Sequence, residues 1–300
     1  MHENNVTGKR FLAVTLLNAG ITVVELLGGL AAGSLALLSD AFHNLGDSVS
    51  IVLSYIAQVI SKKPETHRQT YGYRRAEILS ALVNAAFLLV IAVFLTIEAI
   101  RRLQHPQPVN GKLMTIVAVV GLAANFLSAY LLHAGSHESL NIKATYLHVL
   151  SDALASVAVI IAGVILIFYP VNWLDPVLTV AVAIYIAYEA WPIVKQTVNI
   201  LMESAPALDY DAIKQDLLKI DGIKSIHHVH AWSVDEHRIM FSMHIVCADA
   251  KLSEIDKLYD KIDQLMLNKY GICHVTIQAE CHRDDGEKMF DTHEDEQNGM

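Results

Sequence analysis

Six apolar runs, each near the roughly 20 residues that cross a bilayer core as a helix, constrain this chain more than any other feature. They lie near positions 11 to 33, 36 to 60, 77 to 100, 113 to 134, 142 to 168 and 174 to 192. In lipid only helices and closed barrels satisfy every backbone donor and acceptor, and runs of this length predict helices. Turn and breaker residues separate them: Gly33-Ser34 between the first two, Lys62-Lys63-Pro64 after the second, "QHPQPVNG" between the third and fourth. Asp175-Pro176 reads as a cap and first-turn pair for the sixth. The first run, Phe11 to Ala32, is too long for the core of a cleaved secretory leader, so it reads as a retained helix.

Charge is distributed to match. Of the 53 Asp, Glu, Lys and Arg residues, 23 precede Glu203 and 30 follow from it, in about one third of the length. A membrane part, 11–200, is therefore expected after a short N-terminus, 1–10, with a water-facing part over 203–282 and an acidic, disordered tail over 283–300. Short-loop cations fall mostly on one side: Lys9, Arg10, Lys62, Lys63, Arg68, Arg74, Arg75, Lys143 and Lys195, against Arg101, Arg102 and Lys112 on the other. The positive-inside rule then places both termini in the cytoplasm. No basic, aromatic-interleaved surface suggests nucleic acid as a partner. Three cysteines, Cys247, Cys273 and Cys281, give no disulfide framework and fit a reducing compartment.

The water-facing part reads helix, strand, strand, helix, strand. "ALDYDAIKQDLLKI" offers Asp209 as a cap, "IKSIHHVHAWSV" and "RIMFSMHIVCA" flank the connection "DEH" as a hairpin, the amphipathic "KLSEIDKLYDKIDQLMLNKYG" ends at Gly271, and "HVTIQAE" alternates as a last strand. This is an α+β layer with helices on one face of a sheet.

Ionisable groups inside spans cost about 2.5 to 3.5 kcal/mol each on insertion scales and mark function by default. Here the deep acids are Glu25, Asp40, Asp47 and Asp152, and the deep histidines are His43 and His148. His43 and Asp47 in the second span repeat the spacing of His148 and Asp152 in the fifth, and i, i+4 positions share one helix face. Two imidazoles and two carboxylates brought together suit tetrahedral Zn²⁺; six or more oxygens for Ca²⁺ or Mg²⁺ are not supplied. Asp40 and Asn44 lie near that face and could orient the ligands. Glu25 is read as structural, and Asn18, Asn84 and Asn125 as bonds between helices.

These motifs, with "LLSDAFHNLGDS", "YGYRRAEILSALVN", "YLHVLSDALAS", "LMESAP" and "HVTIQAE", resemble the cation diffusion facilitator family, near its bacterial zinc and cadmium efflux members, over about residues 10 to 282. The resemblance implies six transmembrane helices followed by a cytoplasmic αββαβ domain of ferredoxin-like, metallochaperone-like form. It implies a transport site of His43, Asp47, His148 and Asp152, a homodimer in the bilayer, and exchange of a divalent cation for protons. In the cytoplasmic domain it implies interface Zn²⁺, structural or regulatory, on His227, His244 and Glu280. Alternation supports part of this: Phe241, Met243 and Ile245 share one face and leave His244 on the other, while Glu280 shares a face with Thr276 and Gln278, so His244 and Glu280 could meet on an exposed surface. His227, His228 and His230 crowd one strand and the sequence leaves the ligand among them open; Cys273 and Cys281 are further candidates. The loop site of some relatives is reduced to His67, and the histidine-rich loop of others to His133 and His137. Arg75 and Glu203 match a charge interlock in relatives.

The expected function is a proton-coupled antiporter of the cell (inner or plasma) membrane that exports Zn²⁺, and also Cd²⁺, from the cytoplasm. The alternatives are an exporter of Co²⁺, Fe²⁺ or Mn²⁺, a channel, or a membrane-tethered sensor. No GxxxxGK[ST] loop is present to drive transport with ATP, and no HExxH suggests a hydrolase.

Overall fold

A computed structural model describes residues 2–133, 140–169, 171–281 and 289, with backbone alone at 2–13, 132 and 140–145. The expected tail, 283–300, falls outside the described residues apart from Met289, as does His137. The chain divides into two compact units, one of Met1–Ile56 with Ser80–Val194 and one of Ala57–Leu79 with Lys195–Met300.

Six long helices come first: α1 (His2–Ala32), α2 (Leu35–Ser61), α3 (Arg75–Gln104), α4 (Gly111–His133), α5 (Leu140–Phe168) and α6 (Leu174–Leu201). Two extend well beyond the apolar runs. α1 starts at His2, ahead of Phe11, and α6 runs through Pro192 to Leu201. Among the described residues five helices are long and apolar enough to cross a membrane; α2 falls short on hydropathy alone. Its 27 residues reach about 40 Å, ample for a bilayer, and Ser39, Asp40, His43 and Asn44, which lower its hydropathy, are all buried. The polar residues face protein, so the length rule and the hydropathy rule disagree for a structural reason.

Small residues let the helices approach. A Cβ on Gly163 of α5 would lie 2.5 Å from Thr115 Oγ1 and 3.1 Å from Thr115 N on α4, so that crossing requires glycine. Gly33, at φ 69°, turns the chain between α1 and α2, and its carbonyl accepts from the Arg102 guanidinium at 2.5 Å.

Asp175 differs from expectation. It lies inside the first turn of α6 instead of capping it, and its carboxylate caps α2: it accepts from Ser34 Oγ at 2.5 Å, Leu35 N at 2.8 Å and Ala36 N at 3.2 Å. The group is fully buried, so the first-turn N–H groups of α2, which have no intrahelical partner, supply the positive end that it needs.

The second unit contains α7 (Tyr210–Leu218), β1 (Ile223–Ser233), β2 (Ile239–Cys247), α8 (Leu252–Tyr270) and β3 (Ile272–Glu280), the expected helix, strand, strand, helix, strand order. β2 is central, antiparallel to β1 and parallel to β3. Asp209 caps α7 by accepting from Ala212 N at 3.0 Å, and Gly271, at φ 67°, closes α8. Ile213 and Leu217 of α7 and Leu258, Ile262 and Met266 of α8 pack on Phe241, Met243 and Ile245 of β2, so alternation fixed that face as read. Asp216 accepts from Lys219 and Tyr270 at 2.8 Å and 2.6 Å and pairs with Lys269; these contacts, Lys219 first, hold its carboxyl well below the usual range.

Replacing Asp175 with Ala should lower unfolding stability by about 1–3 kcal/mol, since it strands buried donors, and Asn should recover part of the loss. Thermal unfolding of the detergent-solubilised protein measures both.

Candidate metal centre

His43 and Asp47 sit one helical turn apart on α2, and His148 and Asp152 repeat that spacing on α5. The packing of the two helices brings both pairs to one point. His148 Nε2 lies 2.9 Å from Asp47 Oδ2 and 3.8 Å from Asp152 Oδ2; His43 Nε2 lies 3.6 Å from Asp152 Oδ1 and 3.8 Å from Asp47 Oδ2. In each case the nearer carboxylate belongs to the other helix. A tetrahedron with bonds near 2.0–2.1 Å has edges of about 3.3 Å, so these spacings suit a dication of that size.

The donor chemistry agrees. His43, Asp47 and His148 each offer a ligand atom within 4.8 Å of the others; Asp152 lies outside that triad and meets the two histidines with different oxygens, Oδ1 toward His43 and Oδ2 toward His148. His43 and Asp152 are buried, whereas the His148 side chain keeps about a third of its surface open. His43 Nε2 makes no hydrogen bond among the described residues although it is buried between two carboxylates, which leaves its lone pair or its proton directed into the cluster. Tyr185 of α6 packs edge-on to His43 with centroids 6.2 Å apart and donates its hydroxyl to Glu189 at 2.6 Å; its place beside the site has no signature in the sequence.

The neighbours expected to orient the ligands behave differently. Asn44 donates to Glu25 of α1 at 2.8 Å instead of to a ligand, and Asp40 is buried on the same helix face. Glu25 is completely buried and its Oε1 accepts no hydrogen bond among the described residues. Of the three asparagines read as bonds between helices, Asn125 is buried with Nδ2 unused and Asn84 leaves Oδ1 unused, so neither atom makes the bond expected.

A second cluster forms on the sheet of the other unit. His227 and His244 face each other across β1 and β2, with ring centroids 5.3 Å apart. Glu280, at the end of β3, reaches His227 Nε2 at 3.3 Å with one oxygen and His244 Nδ1 at 3.1 Å with the other. Gln278 steadies it with a 2.5 Å bond to Oε1. The expected exposed meeting of His244 and Glu280 is corrected by burial: His227 is 1% and Glu280 7% exposed. His227 lies opposite His244 by regular pairing, one residue after Ile226, which faces core residue Ile245. The register shifts only after it, between His227 and His230, where His228 takes φ 50° and comes to the face that carries His244. His228 stacks at 4.7 Å on His244 and 4.8 Å on His230. Cys273 and Cys281 do not join the cluster among the described residues, and neither does any group around His67.

Arg75 Nη2 meets Glu203 Oε1 at 3.2 Å; both side chains are open to solvent, which limits such a pair to under about 1 kcal/mol.

Apolar helices wrapped around a buried set of imidazoles and carboxylates define a multi-pass membrane protein that handles cations. Residues 11–202 match the cation efflux transmembrane domain and residues 205–282 match the cation efflux protein cytoplasmic domain. The zinc transporter ZitB of Shigella flexneri is 40% identical over 289 residues, which cover 94% of this chain and 91% of the relative. A cadmium, cobalt and zinc/H(+)-K(+) antiporter of Bacillus velezensis is 37% identical over 93% of this chain and 91% of its own. The metal cation efflux system protein CzcD of Cupriavidus metallidurans is 34% identical over 96% and 93%. The solved metal-bound C-terminal domain of the CzcD transporter from Cuprividus metallidurans aligns with 24% of this chain and 99% of its own at 29% identity, with a TM-score of 0.23. The chain belongs to the cation efflux family, the cation diffusion facilitators.

The sheet cluster predicts different responses to two substitutions in a zinc titration of the purified full-length protein. His227→Ala should remove binding at the sheet cluster, and Cys273→Ser should leave the stoichiometry unchanged; loss of an ion with the cysteine variant would place a thiolate in the site.

Proposed function

We propose that the protein exports divalent metal cations, Zn²⁺ first and Cd²⁺ with it, from the cytoplasm by secondary antiport with protons, and that His43, Asp47, His148 and Asp152 are the transport ligands. The observation that carries this reading is the cross-helix pairing of α2 and α5, in which each imidazole lies nearer to the other helix's carboxylate than to its own. The names of the relatives, a zinc transporter and a cadmium, cobalt and zinc antiporter, support the same cargo.

The charge balance gives the coupling. An empty site with Asp47 and Asp152 ionised carries two negative charges in a medium that solvates them poorly. Zn²⁺ cancels both, and it needs neutral imidazoles. Protons on the two imidazoles, which titrate near neutral pH in water, cancel both as well. Either occupant makes the site neutral, so metal and protons exclude each other and the cavity can change its access with one or the other bound. The half-open side of His148 is the side from which cargo enters in this conformation.

The reading places both termini in the cytoplasm of a cell-membrane protein, with residues 11–200 carrying transport and 203–282 forming the dimerisation domain of a homodimer. His227, His244 and Glu280 bind Zn²⁺ there as a structural or regulatory ion. Support for this site comes from the two oxygens of Glu280, each directed at a different imidazole. A resident metal would also satisfy the ring nitrogens of buried His227, which make no hydrogen bond among the described residues.

Two outcomes test the proposal. Zinc uptake into inverted vesicles should follow an imposed pH gradient and collapse when an ionophore dissipates it; uptake indifferent to the gradient rejects antiport. Asp47→Ala should lower zinc affinity at the transport site by at least about 100-fold, since loss of mere supporting groups already costs 10- to 100-fold. The variant should keep its helix content by circular dichroism, and transport at the normal rate would remove Asp47 from the ligand set.

A further inference from the structure

The connection between α2 and α3, residues 62–74, carries Lys62, Lys63, Arg68 and Arg74 against one acid, Glu65. With the end of β1 and Glu203 it encloses a cleft of about 350 Å³. Three guanidinium groups, those of Arg68, Arg74 and Arg75, line this cleft, and Glu203 is its only carboxylate. Arg75 is paired with Glu203; Arg68 and Arg74 meet no carboxylate among the described residues. The lining therefore holds an excess of two positive charges.

The remaining walls are amphipathic. Tyr71 and Tyr73 are 47% and 36% exposed, Leu79 in the first turns of α3 is 49% exposed, and Trp232 is half-buried beside them. Exposed tyrosines and a leucine at the point where a membrane helix begins belong at the bilayer boundary, where one side of the ring is wet and the other meets hydrocarbon. A free anion would use the arginines and leave these side chains idle. A phospholipid uses both: its phosphate suits the planar fork of arginine, and its glycerol and first methylenes suit tyrosine and leucine.

We infer that this cleft binds the phosphate headgroup of an anionic phospholipid. The site depends on α2 and α3 being membrane helices and not on the transport chemistry, so its failure leaves the antiport reading intact. A phosphate seated here competes with Glu203 for Arg75, and lipid occupancy is thereby linked to the Arg75–Glu203 pair.

The chain has three tryptophans, so replacing Trp173 and Trp191 with Phe leaves Trp232 as the sole reporter, in the cleft itself. The full-length protein in a nonionic detergent is titrated with short-chain phosphatidylglycerol, short-chain phosphatidylcholine and inorganic phosphate, and Trp232 emission is followed. Phosphatidylglycerol should give a saturable change at the lowest concentration. A basic group at an anionic lipid surface is worth about fivefold in binding, so Arg68→Gln with Arg74→Gln should weaken it about 25-fold. Arg68→Lys with Arg74→Lys keeps the charge and should stay within about fivefold, and an unchanged zinc titration shows that the glutamine variant is folded. Equal binding of the two lipids, or no effect of the glutamine pair, overturns the inference. Inorganic phosphate binding as tightly as the lipid also overturns it and makes the cleft a free-anion site.

Discussion

The interaction on which the membrane unit depends is the exchange of partners between two helices that each carry a histidine and an aspartate. Along a single helix the i, i+4 pair stands at 3.8 Å on both α2 and α5; across the gap the distances fall to 2.9 Å and 3.6 Å. Neither helix can satisfy its own polar groups inside a bilayer, and together they nearly do. Insertion scales charge each such group a few kcal/mol, so separating the helices without a cation or protons between them is opposed by the desolvation of four side chains at once. The site both requires the bundle and helps to hold it.

The same physics explains the supporting contacts. Asp175 is buried without a basic residue, and the first turn of α2 supplies the donors it lacks. Because α2 carries His43 and Asp47, a carboxylate on α6 fixes the start of the helix on which half of the site is mounted. Glu25 draws Asn44 away from the histidine–aspartate cluster and toward α1, so the polar face of α2 is shared between that cluster and a second acid. Asp175 is met by the donors of a helix end and Glu25 by the amide of Asn44.

In the other unit the pairing of neighbouring strands decides which imidazoles converge. Regular alternation would separate neighbouring residues of β1 onto opposite faces. That rule sets Ile226 in the core and His227 across from His244, where Glu280 bridges them from β3, while the bulge after His227 adds His228 to the same face. Three adjacent strands each contribute one group, and the three are far apart along the chain.

The element order, the helical spans and the face of β2 that packs inward were legible because they rest on local periodicity: period 3.6 or unbroken apolarity for helices, period 2 for strands. The paired i, i+4 spacing of His43 with Asp47 and of His148 with Asp152 was legible for the same reason, since one helix turn fixes which residues share a face. What local pattern does not contain is contact between distant elements. That Asp175 caps α2 and not α6, that Asn44 serves Glu25, and that His227 is the strand histidine facing Glu280 all depend on how helices cross and how strands pair. Those are properties of packing, in which side chains far apart in sequence compete for one position and the better satisfied arrangement wins.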